Sequence, residues 1–249
     1  MTQYDLSLAL TAHSETIVAG PTMRSAEAAI AAAEAKGYQI ERLIGFDTPK
    51  PETVTYFTQP HFTRWQTHHF AFKDQGLTRN ALAEVASGRY LAFLDADDLF
   101  SENWLLRACE QLDDAAKAGR KVIIHPELNW QFDAIQNVYS NPAQDDPFFS
   151  PYVMSTANYY DAMCVAPRDA WIEHGFPKRD IASGFAMEDY QWFVEMTANG
   201  WVHEVAQDTI IFKRRRDVSQ SAEARGSLAL IRAVDALRID RVGKMTENT

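Results

Sequence analysis

Short apolar runs alternate along this chain with longer segments in which apolar residues recur every three or four positions. Runs of four to eight residues rich in β-formers are typical of buried strands, and the periodic segments are typical of amphipathic helices. The strands are predicted at 6–12, 40–46, 53–57, 90–94, 121–125, 201–205 and 209–212, with a return to the sheet within 158–165. The helices are predicted at 22–36, 78–87, 102–118, 168–174 and 227–242, and 184–189 leads into another that ends at 199.

This β-α-β order predicts an α/β fold with a mostly parallel mixed sheet and helices on both faces. Residues 126–151 depart from the pattern, since they are rich in Asn, Asp, Pro and aromatic side chains. Both a functional loop region and a packed excursion of irregular chain are consistent with that composition. The apolar stripe of 227–242 is typical of a core or small-interface helix and does not indicate a membrane anchor.

Three acids follow the apolar run Tyr90–Leu94 within four residues: Asp95, Asp97 and Asp98. Carboxylates repel each other, so such a cluster costs free energy unless a cation or hydrogen-bond donors lie among them. Ligands of open α/β sheets bind outside the carboxyl ends of the strands, and carboxylate oxygens there suit Mg²⁺ or Mn²⁺. The alternative is structural: Asp98 or Ser101 could cap the following helix.

Composition and net charge disfavour some classes of protein function. The 249 residues carry a net charge of −10, which argues against a nucleic-acid-binding surface but leaves a local anion site open. Cys109 and Cys164 have no metal-site spacing, so buried free thiols in a reducing compartment are expected. No apolar stretch reaches the length of a membrane span, and the first residues lack a basic signal segment. A cytoplasmic location follows as an expectation.

Several separated motifs occur in a fixed order: Thr11-Ala12-His13-Ser14-Glu15 after the first strand, Asp47 after the second, Thr78-Arg79-Asn80-Ala81 opening a helix, Gly88 to Asp98, then Glu188-Asp189-Tyr190-Gln191-Trp192 and Gly200-Trp201. This series resembles the inverting family-2 glycosyltransferases, which have the GT-A nucleotide-sugar fold. The resemblance implies one GT-A domain over 1–220, with a donor half at about 1–125 and an acceptor half at about 126–220. Residues 221–249 would form a C-terminal helix and tail.

The resemblance also implies roles for individual residues. Glu188 and Asp189 would serve catalysis, Asp189 as the general base that takes the acceptor proton and Glu188 at the acceptor. Asp97 and Asp95 would bind Mn²⁺ or Mg²⁺. The nucleotide would be bound by Thr11, His13, Glu15, Asp47, Arg79, Asp95 and Ala96. Arg214, Arg215 and Arg216 stand where the family often has a histidine, and would bind the pyrophosphate, since arginine binds phosphate in a bidentate manner.

Each role has a structural alternative. His13 could be an ordinary loop histidine, Arg79 a helix-start arginine, and Glu188 with Asp189 acids that favour the positive end of a helix dipole. The arginine run could be a solvated charge cluster.

The implied activity is metal-dependent transfer of a sugar from a nucleotide-sugar, with UDP the favoured carrier, to a hydroxyl of a glycan, lipid-linked or other acceptor. Neither nucleic acid nor a transmembrane segment is expected, and peripheral membrane association is compatible. One alternative is a non-catalytic sugar-binding module on the same sheet. Another is a nucleotidylyltransferase, disfavoured because residues 11–20 carry no Lys or Arg and a single glycine.

Overall fold

A computed structural model describes residues 4–246, which form a nine-stranded mixed sheet with helices on both faces. The strands are β1 (Tyr4–Ala12), β2 (Ile40–Asp47), β3 (Gln66–Phe70), β4 (Gly88–Asp95), β5 (Leu99–Phe100), β6 (Val122–Asp133), β7 (Asn137–Ser140), β8 (Val165–Pro167) and β9 (Val202–Arg215). The helices are α1 (Ala19–Glu34), α2 (Pro51–Phe57), α3 (Gln75–Val85), α4 (Trp104–Lys117), α5 (Arg168–Glu173), α6 (Glu188–Ala198) and α7 (Gln220–Gly226).

The sheet order is β3-β2-β1-β4-β8-β6-β9-β5, and β7 pairs with β6. Strands β1 to β4 run parallel to one another, as do β6 and β9, whereas β8 pairs antiparallel with both β4 and β6. The predicted α/β class with a mixed sheet is confirmed. Because β1, β2 and β4 are parallel neighbours, their carboxyl ends lie at one edge of the sheet, where ligands of such folds bind.

Two apolar cores cover the two faces of the sheet. Successive side chains of a strand point to opposite faces. Thus Leu8 and Leu10 pack with Ile30 of α1 and Trp104 of α4, while Ala9 packs with the core that contains Trp192 of α6. Both cysteines are buried free thiols, as predicted. Within residues 4–246, no helix is long and apolar enough to cross a membrane.

The predicted strand over 53–57 is wrong, because these residues belong to helix α2. Pro51 occupies the first turn, where its missing N–H costs nothing, and Glu52 follows it near the positive end of the helix. Thr53 and Phe57 are buried one turn apart. The apolar spacing was therefore helical, in a segment short enough to be ambiguous by periodicity alone.

The predicted closing helix over 227–242 is also wrong, since only two short 3₁₀ turns occur there. Leu228 has φ of +50°, which a continuing α-helix does not allow. Beyond it, Leu230 N–H donates to Gly184 O and Leu230 O accepts from Ala186 N–H. Ile231, with Val234 and Leu237, packs against the core under α6. Three residues of the stripe are thus partly buried against the core, whereas Leu230 is 69% exposed and its backbone pairs with a distant segment.

Part of the stretch after residue 125 belongs to the sheet. Strand β6 continues to Asp133 and turns back as β7. Its long partner β9 joins the two strands predicted at 201–205 and 209–212, with a register shift between Pro126 and Leu128. The remainder up to β8 is irregular chain with one 3₁₀ turn, so 126–151 is a mixture of regular and irregular structure.

Candidate active site

A cleft of about 990 Å³ opens at the carboxyl ends of β1, β2 and β4, a size typical of small-molecule sites. The amino end of α6 and residues of the 158–162 segment form a second wall, and residues of 213–225 also line the cleft. Every residue predicted for the site lines this cleft: Thr11, His13, Glu15, Asp47, Arg79, Asp95, Ala96, Asp97, Glu188, Asp189, Arg214, Arg215 and Arg216. Asp97 and Asp189, which lie far apart in sequence, therefore face one space.

Asp95, the last residue of β4, is fixed by contacts from three other elements. Its Oδ1 accepts from Thr11 Oγ1 at 2.9 Å, Gln75 Nε2 at 2.5 Å and Arg79 Nη2 at 2.7 Å, and its Oδ2 from Lys213 Nζ at 2.8 Å. Burial alone would raise the pKa of this carboxyl, but the cations of Arg79 and Lys213 hold it well below its usual range. Asp95 is therefore a permanent anion.

Arg79 is predicted as a nucleotide contact, but its guanidinium is buried and directed at Asp95. The rings of Phe93 and Phe176 lie 5.9 and 5.7 Å from it. The structure thus gives Arg79 a role in positioning Asp95.

The chain after β1 forms the rim of the cleft. The buried Glu15 side chain accepts from the backbone N–H groups of His13 and Ser14 through Oε2. His13 is exposed, and its Nδ1 lies 2.7 Å from Asp47 O. Both residues therefore have structural contacts. Glu15 stabilises the turn after β1, and the His13 imidazole links the ends of β1 and β2.

Asp47 organises the turn that precedes α3. Its Oδ1 accepts from the backbone N–H groups of Phe72 and Lys73, and its Oδ2 from that of Asp74. A carboxylate offers about four acceptor positions, so most of its capacity is spent on this turn. Next to it, Thr48 has φ of +47°, an outlier for a β-branched residue.

The other two acids of the strand end lie in different surroundings. Burial, in the presence of the neighbouring acids, raises the pKa of Asp97 to about 6 although Arg216 Nε lies 3.0 Å from its Oδ2. Burial raises the pKa of Asp98 to about 8. Asp98 does not cap a helix: its Oδ1 accepts from Arg214 N–H and its Oδ2 pairs with Lys213 Nζ at 2.8 Å. Asp98 thus ties β9 to the end of β4.

The acids of the cleft fit a divalent ion that takes one carboxylate from the protein and most of its other ligands from bound phosphate groups and water. Among residues 4–246, no three His, Cys, Asp or Glu side chains are grouped as a protein-only metal site. Asp95 is saturated by two cations, so it is a poor metal ligand, and this revises its predicted role. Asp97 offers one carboxylate to the cleft, and Mg²⁺ commonly takes one or two carboxylates and completes its coordination with phosphates and water.

The three arginines at the end of β9 and just after it, at positions 214–216, have different contacts. Arg214 Nε binds Asp133 Oδ2 at 2.7 Å across β6 and β9. Arg216 lies between Asp97 and Glu15, whose Oε1 is 3.4 Å from its Nη1. Arg215 ends β9 and also lines the cleft. All three arginines line the cleft, and two of them, Arg214 and Arg216, are ion-paired, so the segment is not simply a solvated charge run.

Glu188 and Asp189 open helix α6 on the second wall. Met187, just before them, has φ of +63°, a conformation that is uncommon for a residue other than glycine and tends to mark functional sites. Burial, then the neighbouring Asp189, raises the pKa of Glu188 to about 7, and burial also raises the pKa of Asp189. A helix start alone would favour ionised acids, so burial dominates here.

Several charged residues of the cleft could not be assigned to the site from the sequence, and Lys213 and Asp161 are two of them. Both are largely buried, and Lys213 Nζ lies 3.5 Å from Asp161 Oδ1. A charged residue inside an apolar strand pattern was the available signal in each case, because burial of a charge requires a partner.

The comparisons with known proteins agree with this architecture. Residues 28–148 match the model of Glycosyl transferase family 2. No curated protein matches the chain in sequence. Among solved structures, S. aureus TarS 1–349 in complex with UDP-GlcNAc superposes with a TM-score of 0.62 at 12% identity, over 88% of this chain and 60% of that one.

GalNAc-T7 with UDP, GalNAc and Mn²⁺ gives a TM-score of 0.60 at 12% identity, over 86% of this chain and 44% of that one. The chain thus spans less than two thirds of the length of either structure. At identities this low, the superpositions show a shared fold alone. The chain has the GT-A fold, and its residues 28–148, just under half of the chain, match glycosyl transferase family 2.

Proposed function

We propose that this protein transfers a sugar from a nucleotide-sugar, with UDP as carrier, to a hydroxyl of an acceptor, inverting the anomeric carbon. The observation that carries the proposal is that the strand-end acids around Asp97 and the acids that open α6 line the same cleft. Transfer needs charge stabilisation at the leaving diphosphate and a proton acceptor on the other side of the sugar. The two walls offer these two functions.

The donor wall would hold the nucleotide. Asp95, ionised and held by four donors, would fix the end of β4 beside the ribose, and the rim formed by Thr11, His13 and Glu15 would surround the base. We assign Asp47 to shaping the base pocket, because its carboxylate already binds three backbone amides. Arg79 acts through Asp95 in this proposal, and the Ala96 backbone closes the edge of the pocket.

Asp97 would supply the protein ligand of a Mn²⁺ or Mg²⁺ ion, which neutralises charge that develops on the diphosphate. Asp97 is paired with Arg216 in this structure, so ion binding would redirect that guanidinium. A guanidinium matches phosphate oxygens in a bidentate manner. Arg216 would then bind the diphosphate beside the ion, with Arg214 and Arg215 adding positive charge nearby.

Asp189 would be the general base. It accepts the proton of the acceptor hydroxyl while that oxygen bonds to the anomeric carbon and the bond to the diphosphate breaks, its electron pair leaving with the diphosphate. The raised pKa of Asp189 increases its proton affinity. Glu188 would contact the acceptor, a glycan, lipid-linked or other hydroxyl compound, presented beside the 158–162 segment.

The test is release of UDP and formation of a glycosylated product from a panel of UDP-sugars and hydroxyl acceptors, for the wild type and for Asp189→Asn. Asp169→Asn, an exposed acid of α5 outside the cleft, is the matched control. We expect product with the wild type and the control, and a loss of about 10²- to 10⁴-fold for Asp189→Asn. Full turnover by Asp189→Asn would remove the assigned base, and binding of UDP-sugar without any turnover would favour a non-catalytic module.

A further inference from the structure

Among residues 4–246, Lys213 makes more ion pairs than any other cationic residue that lines the cleft. Its Nζ lies 2.8 Å from Asp95 Oδ2, 2.8 Å from Asp98 Oδ2 and 3.5 Å from Asp161 Oδ1. Burial alone would lower the pKa of this lysine, but the acids around it raise the pKa well above its usual value. Lys213 is therefore a fixed ammonium.

The acids bound by Lys213 come from both walls of the cleft. Asp95 ends the donor-side strand β4 and Asp98 lies in the turn after it, whereas Asp161 lies on the acceptor-side chain that leads into β8. One ammonium thus joins the two walls. Its single charge is shared by three carboxyl groups, so it only partly neutralises Asp161.

Asp161 is held rigidly and faces the same space as Asp189. It is 7% exposed, its Oδ1 accepts from Met163 N–H at 3.0 Å, and both acids line the cleft. After burial, Asp161 is the strongest influence that raises the pKa of Asp189, while Arg79 and Lys213 lower it and Glu188 adjoins it in α6. A like charge nearby makes a carboxylate bind a proton more tightly.

We propose that Asp161, anchored by the Met163 amide and the Lys213 ammonium, is a positioning residue whose fixed negative charge beside Asp189 keeps that carboxylate a competent proton acceptor. The inference rests on the proposed function, since it concerns the base of that reaction. A base is most effective when its proton affinity is close to the operating pH. Burial and Asp161 together would bring Asp189 toward that range.

The first test needs no turnover. The carboxyl carbon of Asp189 is titrated by ¹³C NMR in a Glu188→Gln background, which separates it from its coupled neighbour. We expect Asp161→Asn to lower the pKa of Asp189 and Asp161→Glu to leave it near the parent value. Asp145→Asn, an exposed acid of the 126–160 region, should have no effect. An unchanged titration in Asp161→Asn would overturn the proposal whether or not the protein is active.

The second test is kinetic. For Asp161→Asn we expect kcat to fall roughly two- to tenfold, well below the 10²–10⁴-fold of a lost general base. The acidic limb of the kcat profile should move to lower pH, and KM for the UDP-sugar should be unchanged, because Lys213 keeps Asp95 and Asp98. Asp161→Glu should restore the wild-type profile. An equal loss at every pH, without movement of the limb, would overturn the proposal, whereas an inactive wild type would count against the proposed function alone.

Discussion

The donor wall and the acceptor wall of the cleft are built in different ways. On the donor wall, polar side chains lie near the ends of adjacent parallel strands and form hydrogen bonds and ion pairs with one another. Thr11 and Arg79, for example, both donate to Asp95. On the acceptor wall, irregular chain connects β7 to β8, and Phe148 and Tyr152 are 86% and 55% exposed. Tyr160 and Asp161 are buried there.

This difference assigns separate tasks to the two walls. A network of hydrogen bonds that is complete before any ligand binds can recognise a chemical group that does not vary between ligands, because little conformational entropy is lost on binding. Irregular surface segments tolerate change in sequence and length. We therefore expect the donor wall to recognise the nucleotide and the acceptor wall to set which hydroxyl compound is used.

Replacing the proposed base should change turnover strongly without changing nucleotide binding. Asp189→Asn should lower kcat by about 10²- to 10⁴-fold and leave the Kd for UDP unchanged, because the base lies on the acceptor wall. Calorimetry with UDP and Mn²⁺, alongside turnover, measures both quantities. A weakened Kd in this variant would mean that the walls are not independent.

Removal of the ion should affect the donor wall. We expect chelation by EDTA to lower kcat about a hundredfold or more, since a metal ion supplies several kcal/mol of charge stabilisation, with recovery on adding Mn²⁺. Asp97→Asn should weaken Mn²⁺ binding in the presence of UDP, measured by electron paramagnetic resonance. Asp133→Asn, which removes only the partner of Arg214, is the control and should bind Mn²⁺ as the wild type does. Full activity in EDTA would contradict this assignment.

The stability of the donor wall should depend on Asp47. Asp47→Ala leaves three backbone N–H groups of the 72–74 turn without their acceptor. We expect a loss of about 2 kcal/mol in the free energy of unfolding, measured by urea denaturation. Asp145→Ala, on the irregular acceptor side, should change it little. Equal values for the two variants would remove the contrast between the walls.

The smallest expected effect is a shift in pH dependence. Burial and then the neighbouring Asp189 raise the pKa of Glu188 to about 7, so the pair takes up a proton as the pH falls through about 7 and activity decreases. In Glu188→Gln the negative neighbour is lost, Asp189 binds its proton less tightly, and the acidic limb should move to lower pH. A limb at the wild-type position would show that Glu188 does not influence the base.

Much of the fold could be predicted from local pattern. Strands β1, β2 and β4 and helices α1, α3, α4 and α6 lie within a few residues of their expected positions, because their periodicity and turn residues agree. Errors arose where tertiary contacts overrode that pattern. The stripe after 227 has helical spacing, yet Leu230 pairs with the backbone around Phe185.

Local periodicity and residue chemistry are enough to predict the α/β order, the acids at the end of β4, the acids at the start of α6 and the arginines after β9. How these charges are shared depends on contacts between segments that are distant in sequence. Lys213 reaches acids on both walls, Arg79 points at Asp95, and Asp161 faces the space in front of Asp189. Charge pairing between distant segments depends on distance and burial, and neither quantity is encoded in local sequence spacing.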